Sequence, residues 1–257
     1  ELCNSYGMDT ISAAASLACY REINNETDLA PLLLDLLTQI ATGSSELGRE
    51  IGQGSATYAR KTKKNSQISM SVKGMELPAY DPRGAYGMSL AYALSTRGGC
   101  HLRAYPISHE ILRKPVATDR FTFSGKARII KIDEDQNAVI DSLTACKFIF
   151  FAASLEEYAK AYSAVTGEKS SAQDLLHIGE RIYYQERMMN ALNGFNAADD
   201  DLPERFFTEA GTGDKTHEIQ PLDRHAFLEA RSKYYHIRGL DEQGNPTSEK
   251  TAELDLL

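Results

Sequence analysis

The clearest indication of fold class is the segment Asp9-Thr-Ile-Ser-Ala-Ala-Ala-Ser-Leu-Ala-Cys-Tyr20. Its alanines and unbranched residues favour an α-helix, and Asp9 or Thr10 supplies a polar side chain that can cap the first turn. Alanine and serine side chains are also small enough to let one helix pack closely against another. The segment therefore predicts a tightly packed helix near the start of the chain.

Similar helical signals recur downstream. Residues 29–40 carry apolar side chains at helical spacing, and Gly43 follows as a stop signal. A helix weakened by glycines fits residues 45–64, and amphipathic helices fit residues 171–194 and 223–239. These signals predict a mainly α, multihelical fold with little β structure.

The middle of the chain differs from both ends. Residues 67–118 are rich in glycine and proline, which favour turns and loops that often carry function. We predict a short strand at residues 127–132 and a buried helix at residues 138–153. The two predicted domains each combine two stretches: residues 1–65 with 154–195 form a helical domain, and residues 66–153 with 196–257 form a loop-rich helical domain.

Composition excludes several classes of partner. The 257 residues carry a formal charge of −8, which disfavours nucleic acid because phosphate binding depends on clustered basic residues. The one basic cluster, Arg60-Lys-Thr-Lys-Lys64, is interpreted as a solvated helix end. The longest apolar run, residues 148–153, is far shorter than the roughly 20 residues of a membrane span. We therefore expect a soluble protein.

The four cysteines and the first residues indicate the cellular setting. Widely separated cysteines without a C-x-x-C pair argue against a zinc ribbon or a disulfide framework, and they fit reduced thiols in the cytoplasm. The chain begins with Glu1 and has no signal-peptide pattern. We expect it to begin inside a longer polypeptide.

Two hexapeptides echo each other across the chain: Asn4-Ser-Tyr-Gly-Met-Asp9 and Asp141-Ser-Leu-Thr-Ala-Cys146. Two further stretches accompany them, Lys73-Gly-Met-Glu-Leu-Pro-Ala-Tyr-Asp-Pro-Arg83 and Ser95-Thr-Arg-Gly-Gly-Cys-His-Leu-Arg-Ala104. In combination they resemble the tungsten-containing aldehyde ferredoxin oxidoreductase family, of which the chain would contain the C-terminal helical domains only. The resemblance covers essentially the whole chain.

This resemblance implies the cofactor ligands. In the family, a motif of the form D-x-x-G-L-(D or C) holds each of two pterins, and the second motif supplies a cysteine to a [4Fe-4S] cluster. Asp9 and Met8 would then bind one pterin, Asp141 and Ala145 the other, and Cys146 the cluster. A carboxylate can accept two hydrogen bonds from the N–H edge of a pterin, and iron requires a thiolate.

The motifs depart from the family pattern at four positions. Asn4 replaces Asp and Met8 replaces Leu in the first copy, whereas Thr144 replaces Gly and Ala145 replaces Leu in the second. These departures affect a contact at Asn4 and the backbone turn at Thr144. The rival interpretation of Asp9 is a helix cap.

A histidine and an arginine complete the predicted site. His101 follows two glycines that would allow close approach of the backbone to a ligand, and the resemblance implies a proton donor or acceptor in the active-site pocket. The alternative is a loop histidine with ordinary hydrogen bonds. Arg103 resembles a basic residue that contacts a pterin, whereas Asp81-Pro-Arg83 is interpreted as a structural loop lock. The remaining histidines are expected to be structural: His109, His177, His217, His225 and His236.

The implied reaction is oxidation of a small aldehyde to a carboxylate at a tungsten or molybdenum bis-pterin centre, with electrons leaving through the cluster to ferredoxin. The family's N-terminal domain and three cluster cysteines are absent from this sequence, so we expect the isolated chain to lack cofactors and activity, and to self-associate. Two alternatives stay open: a benzoyl-CoA reductase-type subunit of the same family, and a cofactor-free helical interaction module.

Overall fold

The structure is a computed structural model that describes residues 1–62, 66–213 and 218–256. Within these ranges the chain is multihelical, as predicted, and its strands form one two-residue antiparallel pair, β1 (Ser71–Val72) and β2 (Met75–Glu76). In chain order the α-helices are α1 (Leu2–Ser5), α2 (Thr10–Asn24), α3 (Leu33–Thr42), α4 (Glu46–Ile51), α5 (Ser55–Thr62), α6 (Tyr86–Leu94), α7 (Ile107–Glu110), α8 (Lys126–Ser142), α9 (Leu155–Thr166), α10 (Ala172–Leu192), α11 (Arg205–Thr208), α12 (Arg224–Arg238) and α13 (Ser248–Glu253). None of these described helices is long and apolar enough to cross a membrane.

The chain divides into two compact units. Unit 1 comprises Glu1–Ala85, Tyr92–His101 and Asp199–Arg224, and unit 2 comprises Tyr86–Ala91, Leu102–Ala198 and His225–Leu257. Residues 154–195 group with unit 2, whereas the sequence placed them with residues 1–65. Helix α10 packs along α8 in unit 2, which accounts for this difference.

In unit 1, α2 packs against α5 over a core that includes Leu17, Ile23 and Tyr58. Two of its helix boundaries match the expected signals, because Asp9 caps α2 and Gly43 ends α3 in the left-handed conformation. The single helix predicted over residues 45–64 is instead two helices, α4 and α5. A left-handed Gly54, with φ of 92°, separates them. Residues 63 and 64 of the predicted basic helix end lie outside the described ranges.

In unit 2, α8 and α10 touch through their backbones. A Cβ atom added at Gly179 would lie 2.0 Å from the carbonyl oxygen of Asp135, so no larger residue fits at this crossing. The strand predicted at residues 127–132 is wrong, because these residues form the start of α8. The helix predicted at residues 138–153 is also wrong: α8 ends at Ser142, and a separate 3₁₀ turn follows at Lys147–Phe151.

Candidate functional site

The predicted site residues divide between the two units. Unit 1 contains Met8, Asp9 and His101, and unit 2 contains Arg103, Asp141, Ala145 and Cys146. Each group is built on a helix end or a loop, where side chains can reach a ligand without disturbing the helical core.

The first motif forms a tight helix-ending turn. The amide of Gly7 donates to the carbonyl of Asn4 at 3.2 Å, and the amide of Met8 donates to the carbonyl of Cys3 at 2.9 Å. Gly7 adopts the left-handed conformation with φ of 68°, as is common just beyond a helix end. Met8 is half-buried and packs against the core of unit 1.

Asp9 follows this turn and begins α2. Its Oδ2 atom accepts a hydrogen bond from the amide of Ser12 at 2.9 Å, and this bond lowers the pKa of Asp9. The carboxylate is therefore held in its ionised form on an exposed surface. Capping uses one of about four acceptor positions on a carboxylate, so a helix cap can also accept hydrogen bonds from a ligand.

The second motif forms the same turn. The amide of Thr144 donates to the carbonyl of Asp141 at 3.0 Å, and the amide of Ala145 donates to the carbonyl of Ile140 at 3.1 Å. Thr144 has a left-handed φ of 54°, although it is not glycine. The turn that the sequence placed in doubt is thus formed, and Cys146 follows it with its side chain exposed.

The Asp141 carboxylate lies among charged groups that arrive from three segments. Its Oδ2 atom is 3.1 Å from Nη1 of Arg103 and 3.2 Å from Nζ of Lys147. Arg103 also pairs with Glu186 of α10, and its guanidinium carbon lies 5.8 Å from the ring centre of Tyr183. The structure therefore brings together two predicted residues, Arg103 and Asp141.

Arg103 has a further polar atom available for a ligand. Only 2% of the residue is exposed, and within the described part of the chain its Nε atom has no hydrogen-bond partner. A buried N–H without an acceptor is unfavourable by roughly 1–3 kcal/mol. This orphaned donor and the neighbouring carboxylate fit a ligand that carries both acceptors and N–H donors.

Sequence reasoning missed Lys147 and Glu186. Lys147 could have been found, because a basic residue next to a predicted cluster ligand bears on that ligand's charge. Glu186 lies 83 residues from Arg103 and left no local signal.

Cys146 is one exposed thiol rather than part of a complete metal site. Among the described residues, no group of three or more histidine, cysteine, aspartate or glutamate side chains could hold a metal ion. A [4Fe-4S] cluster requires four thiolates, so Cys146 can supply one of them.

His101 lies at the end of a loop that rests on the β1–β2 hairpin. A Cβ atom at Gly98 would lie 2.6 Å from the carbonyl oxygen of Val72, and one at Gly99 would lie 2.6 Å from that of Met75. These glycines thus allow the loop to approach the hairpin closely. The contacts explain the glycines through packing against the hairpin, whereas the sequence predicted that they let the backbone approach a ligand. The half-buried imidazole packs beside Tyr80, with ring centres 5.8 Å apart.

The structural interpretation of Asp81-Pro-Arg83 is confirmed. Both carboxylate oxygens of Asp81 accept from Arg83, which also donates to the carbonyls of Glu209 and Ala210. Arg83 therefore ties two loops of unit 1 together. Of the histidines expected to be structural, His217 lies outside the described residues.

Comparison with known proteins finds a family model and curated relatives that name the same family. Residues 1–256 match the family model described as "Aldehyde ferredoxin oxidoreductase, domains 2 & 3". The tungsten-containing aldehyde ferredoxin oxidoreductases of Thermococcus kodakarensis and Pyrococcus furiosus are 35% and 34% identical to the chain, over 99% and 100% of its length. The chain spans 44% of each of these relatives.

A solved structure shares the fold. The active site complex BamBC of benzoyl coenzyme A reductase, in complex with 1,5-dienoyl-CoA, superposes with a TM-score of 0.75 over 99% of this chain and 45% of that one. Only 16% of the residues are identical, so this likeness concerns the fold.

Proposed function

The chain belongs to the aldehyde ferredoxin oxidoreductase family, and from this premise we propose that the protein carrying it oxidises small aldehydes to carboxylates. The proposed centre is tungsten held by two pterins, beside a [4Fe-4S] cluster that passes electrons to ferredoxin. Curated relatives named for tungsten support the metal, with molybdenum as its chemical alternative. An N-terminal domain of the same polypeptide would supply the base for the pterins and three cluster thiolates.

The observation that carries this proposal is the repeated turn. Each copy brings a carboxylate, Asp9 or Asp141, to a helix end, where it can accept hydrogen bonds from the N–H edge of one pterin. Met8 and Ala145 would line these contacts through the turn backbone. Arg103, with its orphaned Nε donor, would bind an acceptor of the second pterin. The donor and acceptor set of the chain thus fits the cofactor.

Cys146 and His101 have separate roles in the proposed reaction. Cys146 would be the fourth thiolate ligand of the cluster. When bound, the tungsten centre and the cluster supply the two-electron acceptor that converts an aldehyde and water to a carboxylic acid, two protons and two electrons. His101 would accept one of these protons at its imidazole nitrogen, since histidine is the side chain most often used for proton transfer in catalysis.

A cytoplasmic location accompanies the proposal. The four cysteines are thiols rather than disulfides, which is the usual state in a reducing compartment. We expect the chain without the remainder of the enzyme to be inactive, because one thiolate does not hold a four-iron cluster.

The benzoyl-CoA reductase alternative, reduction of an aromatic ring, rests on a likeness of fold at 16% identity. No contact among the described residues favours it. A helical module without cofactors has no need of two equivalent turns that present carboxylates and a thiolate, or of a buried arginine beside one of them. Aldehyde oxidation is therefore the function that the chain supports best.

Metal analysis of the full-length protein, purified without oxygen, tests the proposal. We expect tungsten together with about four irons per polypeptide, and aldehyde-dependent reduction of ferredoxin. A full-length protein that contains neither metal would contradict the proposal and favour the interaction module.

A further inference from the structure

The two equivalent turns differ at their left-handed residue. Gly7 occupies this position in the first turn, with φ of 68°, and Thr144 occupies it in the second, with φ of 54°. Glycine adopts this conformation without steric strain, whereas a β-branched residue rarely does. The second turn therefore needs a stabilising contact that the first does not.

Lys147 makes stabilising contacts at the second turn. Its Nζ atom lies 3.2 Å from Oδ2 of Asp141, the first residue of the motif, and donates to the carbonyl of Leu102. Lys147 itself directly follows Cys146, the last residue of the motif. These contacts, here called the Lys147 bridge, therefore connect the two ends of the turn.

Burial and position make the bridge specific to the second turn. The Lys147 side chain is 11% exposed, so its ion pair with Asp141 is less screened by solvent than a surface pair. At the equivalent position of the first turn stands Thr10, which carries no charge. Arg103 also binds Asp141, but it is held by Glu186 of α10 and does not link Asp141 to the Cys146 end.

We propose that Lys147 is a positioning residue that holds the strained Thr144 turn closed, and thereby orients Asp141 and Cys146 for their ligands. The orientation toward pterin and cluster rests on the proposed function, whereas closure of the turn does not. If strain at Thr144 is the reason for the bridge, removing that strain with glycine must make the bridge dispensable.

The first test measures the turn without reference to any cofactor. Hydrogen exchange of the Thr144 and Ala145 amides is followed by mass spectrometry in the full-length protein, in the wild type and in Lys147→Met, Lys147→Arg and Lys147→Met/Thr144→Gly. We expect Lys147→Met to raise the exchange rate about tenfold, because both amides are bonded only while the turn is closed. Lys147→Arg and the double variant should restore most of the protection.

The control is Lys160→Met, which removes an exposed lysine of α9 in the same unit. It should leave both exchange rates unchanged. Equal rates in Lys147→Met and the wild type would overturn the proposal. Fast exchange that persists in the double variant would also overturn it, because the bridge would then not act by offsetting strain at Thr144.

The second test measures tungsten and iron in the same variants. We expect Lys147→Met to lose at least half of its iron and the double variant to recover it. Normal iron in Lys147→Met would overturn the positioning role. A wild type without metal, combined with the expected exchange rates, would contradict the proposed function while supporting the bridge as the closure of the turn.

Discussion

Asp9 and Cys146 have the same backbone conformation at the end of equivalent turns, with φ −64° and ψ 123° for Asp9, and φ −68° and ψ 126° for Cys146. Each follows a left-handed turn at the end of a helix and begins the next helical segment. Because backbone dihedrals set the direction of the Cβ atom, the Cα–Cβ bonds of Asp9 and Cys146 leave their local turns in similar directions. The two motifs thus share one backbone and differ in the chemistry of the last side chain.

Substitutions at Asp9 separate helix capping from cofactor binding. We expect Asp9→Ala to destabilise the protein by about 1 kcal/mol, and Asp9→Ser to leave stability nearly unchanged because serine caps helices about as well. Both should lower tungsten content, since neither carries a carboxylate. Urea unfolding and metal analysis are the measurements. Full tungsten in Asp9→Ser would show that this side chain serves the helix alone.

The left-handed positions of the two turns should respond in opposite ways to substitution. Gly7→Ala should destabilise the protein by about 1 kcal/mol through backbone strain alone, because no atom lies within 4 Å of the added Cβ. Thr144→Gly should be neutral or stabilising by up to about 1 kcal/mol, since relief of strain exceeds the added chain entropy. Urea unfolding measures both changes. A clear loss of stability in Thr144→Gly would contradict the assignment of strain.

The buried charges of unit 2 should matter more than surface pairs. Arg238 is fully buried, lies 2.7 Å from Glu134 and also pairs with Asp135. Arg238→Met should destabilise the protein by about 3–5 kcal/mol because it leaves two carboxylates without their shared cation.

The control is Arg224→Met, which breaks the ion pairs of Arg224 with Asp201 and Glu204. The arginine side chain is 40% exposed, so the loss of stability should be under about 1 kcal/mol. Chemical unfolding gives both values. Similar losses of stability in Arg238→Met and Arg224→Met would contradict the prediction that the buried ion pairs contribute more than the exposed ones.

His109 predicts a pH dependence of stability. Its Nδ1 atom donates to the carbonyl of Val116, and the Asp133 carboxylate, 3.6 Å from Nε2, raises the pKa of His109. A raised folded-state pKa contributes stability that is complete below the unfolded value of about 6.5 and is lost as the pH rises through the folded value.

The stability difference between the wild type and His109→Gln should therefore be largest below about pH 6 and shrink as the pH rises above about 6.5. The measurement is the free energy of unfolding of both proteins over a pH range that extends below about 6 and above about 6.5. His225→Gln, at a side chain that is 85% exposed, is the matched control. A difference that stays constant with pH would contradict the ion pair.

Local signals predicted much of the helical structure. Asp9 caps α2, Gly43 ends α3, and the amphipathic patterns before Gly194 and Gly239 correspond to α10 and α12. These predictions succeeded because caps and glycines act within one helical turn. The strand predicted at residues 127–132 failed because its isoleucines favour β structure only where no tertiary packing opposes them. Here Ala127, Ile130 and Glu134 are buried at helical spacing in α8.

Local sequence was enough to predict the helical class, the family resemblance and the two echoing motifs, because each depends on residues that are close along the chain. The three-dimensional structure was needed to show that Arg103 lies beside Asp141 and Glu186, and that Lys147 links the ends of the second turn. Arg103 and Glu186 are 83 residues apart, and they meet through the packing of distant segments. Such contacts follow from the way helices bury their faces, which no local pattern specifies.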